Sequence, residues 1–195
     1  MTATQEKKVT KEPFITDVTK LRQRARENMA SGAVTDNYQT DKEQTIKLLQ
    51  AVLATEIVCV LRYTAHSIMA SGIDSDSVAK EFEEHAQDEQ RHVMMVAERI
   101  DQLGGKPNFS PVDLTSRSAT EYEYSEGKDL VDMIEENLIA ERIVVEHYRD
   151  LIRFFGDKDP TTRVMLETIL AVEEEHASDM HDLLVARQGK PFLPS

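Results

Sequence analysis

Glu56 is followed 33 positions later by Glu89-Gln-Arg-His92, and Glu141 is followed 32 positions later by Glu173-Glu-Glu-His176. On a helix, Glu-x-x-His sets a carboxylate and an imidazole one turn apart on one face. A lone Glu on the preceding helix supplies a third donor per half, so the doubled pattern offers four carboxylates and two imidazoles. Such a set meets only where four helices pack side by side, with two metal ions held between them.

The helix stops agree with that arrangement. Helix A is expected from about Asp41 to Ser71, before Gly72, and helix B from about Asp76 to Leu103, before Gly104-Gly105. Helix C is expected from about Lys128 to Phe155, before Gly156. Asp159 then caps helix D, with Pro160 at its first position, and D runs to about Gln188. The A–B and C–D links are short, so each pair is an antiparallel hairpin. Residues 106–127 are too many for a turn; at full extension they reach roughly 70 Å, against about 42 Å for a helix of this length. The link can therefore cross the whole bundle, making B and C parallel and relating the two halves by a pseudo-twofold axis. Seven Gly, six Pro and 6% aromatics in long Ala-, Leu- and Glu-rich stretches point to an all-α chain. Residues 1–40 read as a polar leader with a short helix near Asp17 to Ala30, residues 41–188 as the bundle, and residues 189–195 as a tail.

Apolar stripes at steps of three and four run straight through the ligand candidates. Helix A reads Leu49, Leu53, Glu56, Val60, Tyr63; helix B reads Phe82, His85, Glu89, His92, Val96; helix C reads Leu138, Glu141, Val145, Tyr148; helix D reads Ile169, Glu173, His176, Met180. Each glutamate stands where core belongs, near the middle of its helix. An unpaired carboxylate there costs several kcal/mol or is driven to protonate. Four carboxylates carry −4 and two divalent ions carry +4. Carboxylates with one imidazole per ion suit Fe, with Mn as the alternative, whereas structural zinc recruits thiolates and Ca or Mg would not select His.

The single cysteine, Cys59, excludes an intrachain disulfide and a four-cysteine rubredoxin module, and reads as a small apolar core residue. A formal charge of −13 argues against a general nucleic-acid surface. The first 30 residues differ, with seven Lys/Arg against four acids. No apolar signal core and no run of 18 apolar residues occur, so a cytoplasmic chain with no membrane partner is expected.

Over about residues 41–188 the chain resembles the bacterioferritin-like branch of the ferritin-like di-iron carboxylate proteins. The motifs that carry the resemblance are Ala-Thr-Glu56-Ile-Val-Cys-Val-Leu-Arg-Tyr63, Asp88-Glu89-Gln-Arg-His92, Ile-Ala-Glu141-Arg and Glu173-Glu-Glu-His176. The resemblance implies a ferritin-like four-helix bundle in which Glu56 and Glu141 are terminal ligands, Glu89 and Glu173 bridge, and His92 and His176 bind one metal each. It implies two Fe per chain and oxidation of Fe(II) by dioxygen or hydrogen peroxide for iron storage or detoxification. Three departures narrow it. Gln90 stands where bacterioferritins place a haem-ligating Met, so haem is not expected. Val172 stands where they place Asp. The chain ends soon after helix D, with no room for a regular fifth helix, so the resemblance alone does not secure a 24-subunit cage.

Tyr63 lies two turns after Glu56, as a matching Tyr does in that family, and is the candidate catalytic residue; packing alone is the alternative. Tyr148 stands in the same relation to Glu141. His85, one turn before Glu89, reads as an ordinary core histidine, with a metal-access ligand as the alternative; His66, His147 and His181 receive no role. Ala54, Ile57, Val58, Leu61, Ala65 and Ile68 form a second apolar face on helix A, from which a homo-oligomer built on a helix-A dimer, and from it a cage, is expected. Two other functions compete with ferroxidase: a di-metal peroxidase or oxidase of rubrerythrin type, and a DNA-protecting mini-ferritin using the basic leader.

Overall fold

The computed structural model describes residues 16–72, 75–123 and 129–188. Its contacts divide the chain at residue 37 into two units. In the first, α1 (Val18–Glu27) begins at Asp17, whose side chain accepts from the Thr19 and Lys20 amides. The helix predicted to reach Ala30 stops at Asn28 and tightens into a 3-10 turn over Met29–Ser31. Asn28 Nδ2 donates to Asp36 Oδ1 at 2.8 Å, and α1 buries no residue.

The second unit holds α2 (Lys42–Met69), α3 (Ser75–Gln102), α4 (Leu114–Arg117), α5 (Leu130–Phe155) and α6 (Pro160–Gln188). Three of the long helices, α2, α5 and α6, start at a carboxylate that takes free amide protons, as helix N-termini require. Asp41 accepts from Gln44 N at 2.8 Å, Asp129 and Asp132 form a capping box, and Asp159 accepts from Thr162 N at 3.0 Å. Asp159 also receives Arg99 Nη2 at 2.9 Å and Tyr38 OH at 2.7 Å, which ties the start of α6 to the end of α3 and to the approach to α2.

Side-chain pairs give the helix directions. Gln50, early in α2, donates to Lys106 O just beyond α3, while Tyr63, late in α2, meets Phe82 early in α3 at 5.9 Å, so α2 and α3 are antiparallel. Gln188 to Glu135 and Arg149 to Glu174 make α5 and α6 antiparallel. Arg62 to Asn137 and Tyr148 to Glu56 set α2 against α5 the same way. It follows that α3 and α5 are parallel, as a crossover between them demands. Leu49, Val52, Leu53, Ile100, Phe155 and Leu166 fill one end of the bundle and Val78, Phe82, Ile134, Met180 and Leu184 the other, each almost wholly buried. At about 1.5–3 kcal/mol for each large side chain taken out of water, these two layers supply the main drive for helix association.

The crossover is more than a spacer. It carries α4 and is strapped to α2: Asn108 N donates to Gln50 Oε1 and Ala119 N to Thr55 Oγ1, each at 2.9 Å, and Arg62 Nη1 donates to Glu121 O at 3.2 Å. Leu114 packs on Ala54 and Val58, both completely buried. Part of the second apolar face of helix A, expected to lie open in a monomer, is thus covered from within the chain. The remainder, at Leu61 (45% exposed) and Ile68 (79%), is open. Double coverage explains the apolarity of α2, the one described helix long and apolar enough to cross a bilayer by composition, with mean hydropathy 1.5 over its best window.

Candidate metal centre

Glu56 on α2, Glu89 and His92 on α3, Glu141 on α5, and Glu173 and His176 on α6 converge at mid-bundle, and all six are buried. They form two groups, Glu56/Glu89/His92/Glu173 and Glu89/Glu141/Glu173/His176, and within each group one donor atom of every residue lies within 4.8 Å of the others. Glu89 and Glu173 belong to both. His92 Nδ1 is 3.2 Å from Glu56 Oε2 and 2.9 Å from Glu173 Oε1. His176 Nδ1 is 3.6 Å from Glu89 Oε1 and 3.5 Å from Glu173 Oε2. Both imidazoles therefore turn Nδ1 inward.

The donor set passes a simple test for cations. Both oxygens of Glu89, both of Glu173, Oε2 of Glu141 and both ring nitrogens of His176 are buried without an aligned hydrogen-bond partner. Each such atom costs about 1–3 kcal/mol if left unsatisfied. Carboxylate oxygens and neutral imidazoles at this spacing are the ligands that Fe or Mn prefers.

Around them the two halves brace each other. Tyr63 OH donates to Glu141 Oε1 at 2.5 Å, and Tyr148 OH donates to Glu56 Oε1. Each tyrosine thus serves the glutamate of the opposite half rather than the one two turns before it. Asp88 Oδ2 lies 3.6 Å from His176 Nε2, an acceptor near that ring but beyond hydrogen-bond distance. Its pseudo-twofold counterpart is Val172, which offers His92 no acceptor. Arg62, buried like the ligands, reaches Asn137 Oδ1 at 3.0 Å and Cys59 Sγ at 3.3 Å, and Asn137 Nδ2 reaches His66 Nδ1 at 2.9 Å. Sequence reasoning gave Arg62 and His66 no role, although a lone cation inside an apolar helical run is a readable signal. Gln90 points to the surface, and His85 lies outside both groups.

Burial pushes the Glu56 carboxyl well above the carboxylate range, and the nearby charges of Glu89 and Glu173 add to this. Burial does the same to Glu141, helped by Glu173 and Glu89. Glu89 is just as buried, yet the imidazoles of His176 and His92 close beside it outweigh burial and hold it low. Burial disfavours the charged imidazoles, but the carboxylates of Glu173, Glu56 and Glu89 beside it push His92 up to about 12, and those of Glu173 and Glu89 push His176 up to about 10. Without metal, the shifts of Glu56, Glu141, His92 and His176 all favour the protonated form.

A family profile described as a ferritin-like domain matches residues 46–188. A bacterioferritin of Mycobacterium avium is 27% identical over 134 residues, which are 68% of this chain and 79% of that protein. A DNA protection during starvation protein of Pyrococcus furiosus is 25% identical over 158 residues, 77% of this chain and 85% of that one. Among solved structures, the bacterioferritin-related protein of Bacteroides fragilis, described as a dodecameric thioferritin, superposes with a TM-score of 0.74 at 32% identity, over 80% of this chain and 94% of that chain.

Proposed function

This chain belongs to the ferritin-like family, and from that premise we propose that it is a ferroxidase, oxidising two Fe(II) per chain with dioxygen or hydrogen peroxide for iron storage or detoxification. The observation that carries the reading is the pair of overlapping donor groups whose shared residues, Glu89 and Glu173, have buried oxygens without an aligned hydrogen bond. In this reading Glu56 and Glu141 are terminal ligands, Glu89 and Glu173 bridge, and His92 and His176 each bind one ion through Nδ1. Fe is the intended metal, with Mn admitted by the same donors. Two Fe(II) supply two electrons, enough to take dioxygen to peroxide, or peroxide to two waters, with two protons consumed. Tyr63 is the catalytic side chain: its phenol, held protonated by burial and by Glu141, keeps that carboxylate oriented while the ions change charge.

The protein is proposed to act in the cytoplasm as a homo-oligomer. Its dimer contact would use the open part of α2 around Leu61 and Ile68, and the dodecameric state of the Bacteroides relative supports a twelve-chain shell.

The test is anaerobic loading of the metal-free oligomer with Fe(II), followed by oxidant. Two irons per chain should oxidise in a fast phase, with hundreds per particle taken up in a slow one; saturation at two per chain would reject storage. The same loading should release protons. The shifts of Glu56, Glu141, His92 and His176 all favour their protonated forms, and each must give up that proton to bind metal, so affinity weakens as pH falls. Loading in two buffers of different ionisation heat measures the release, and zero release would contradict the assigned donors.

A DNA-protecting role is the second reading. It is favoured by the Pyrococcus relative and by Lys20, Arg22, Arg24 and Arg26, which stand exposed on α1 against a single acid, Glu27. A DNA gel shift that is indifferent to deleting residues 1–37 would remove it.

A further inference from the structure

A second cluster of metal-binding donors lies beside the centre, on α3 and α6. Glu81 and His85 stand one turn apart on α3 and face Asp179 on α6, with one donor atom of each within 4.8 Å of the others. His85 Nε2 is 3.4 Å from Glu81 Oε1 and 3.4 Å from Asp179 Oδ2. That is long for a hydrogen bond, and one ring N–H cannot serve two carboxylates well. It matches the roughly 3.4 Å separation between donors bound about 2.1 Å from one ion at near-tetrahedral angles. His85 is only 3% exposed and its Nδ1 has no partner, while both carboxylates are half-buried. The three side chains thus lead from solvent into the bundle.

The internal repeat provides a control. The step that takes Glu89 to Glu173 and His92 to His176 takes Glu81 to Met165 and His85 to Ile169, and the reverse step takes Asp179 to Met95. At the other end of the same centre the fold accepts three apolar residues in these places. The polar triad is therefore not something the bundle needs for packing. It also abuts the centre: the His85 ring stacks on His176 at 3.9 Å and 18°, with Tyr63 against its edge at 5.1 Å.

We propose that Glu81, His85 and Asp179 form a third divalent-cation site, which takes Fe(II) from solvent and passes it to the centre past His176. Cation binding stands on the triad alone; the transfer step rests on the ferroxidase reading.

The test uses crystals of the intact oligomer grown with Mn(II), and anomalous scattering from wild type and from a Glu81→Gln, Asp179→Gln variant with near-isosteric or half-exposed replacements. Wild type should show three peaks per chain, one of them between Glu81, His85 and Asp179, and the variant should lose that peak alone. Two central peaks with none at the triad would overturn the third site. A triad peak without central ones would uphold it and overturn the two-metal centre, so the two readings fail separately. For transfer, the Fe(II) concentration giving half-maximal initial oxidation should rise about fivefold in the variant. An unchanged value would overturn the transfer role.

Discussion

Replacing Glu89 and Glu173 together by glutamine should lower the initial rate of Fe(II) oxidation by at least about three orders of magnitude. These two residues are the only members of both donor groups, so each substitution strikes both metal positions. Glutamine keeps the shape and one acceptor oxygen but removes the charge, leaving two divalent ions against two carboxylates in a site closed to water. Uncompensated buried charge costs several kcal/mol, and each 1.4 kcal/mol is about tenfold, which gives the stated loss. The helices should persist, since the change conserves volume and relieves repulsion between carboxylates. Circular dichroism would check the fold and stopped-flow absorbance the rate; oxidation within about tenfold of wild type would reject the shared-ligand assignment.

The second large effect is on stability. Metal-free, the centre holds a set of buried oxygens and nitrogens with no aligned partner, and burial and like charge shift Glu56 and Glu141 toward their protonated forms. Ions that bind the folded chain alone stabilise it by about 2.7 kcal/mol per site at one hundred times Kd, or about 5 kcal/mol for two sites. For a chain of this size that corresponds to roughly 10–20 °C in Tm. Calorimetry with Mn(II), and again after chelation, should show the difference at neutral pH. It should shrink as pH falls, because protons then compete for the same donors. A shift below about 2 °C would mean that the centre does not hold metal in the folded protein.

Much of this molecule was readable from its residues. Glycines and capping carboxylates marked the four long helices to within a few residues, because helix ends need an amide acceptor at the start and relief from side-chain clash at the stop. The repeat named six side chains that do meet in space, since a period of 3.6 residues dictates which positions share a face. Less was readable where partners lie far apart in sequence. Tyr63 reaches Glu141 across 78 positions and Tyr148 reaches Glu56 across 92, so the spacing within each half could not show which glutamate each tyrosine holds. The crossover looked like a strap of sufficient length, and nothing local announced that Leu114 would cover Ala54 and Val58.

The order of residues by itself determined an all-helical chain, its two hairpins, the long link that makes α3 and α5 parallel, and the level at which four glutamates gather. Those properties follow from periodicity and chain length, which are local. Only the tertiary structure decided which oxygens are left without partners, which carboxylate each tyrosine holds, and that Asp179 closes a triad with Glu81 and His85 at one end of the centre and not the other. These depend on the rotation and depth of packed helices, where a shift of one ångström separates a hydrogen bond from a metal-sized gap.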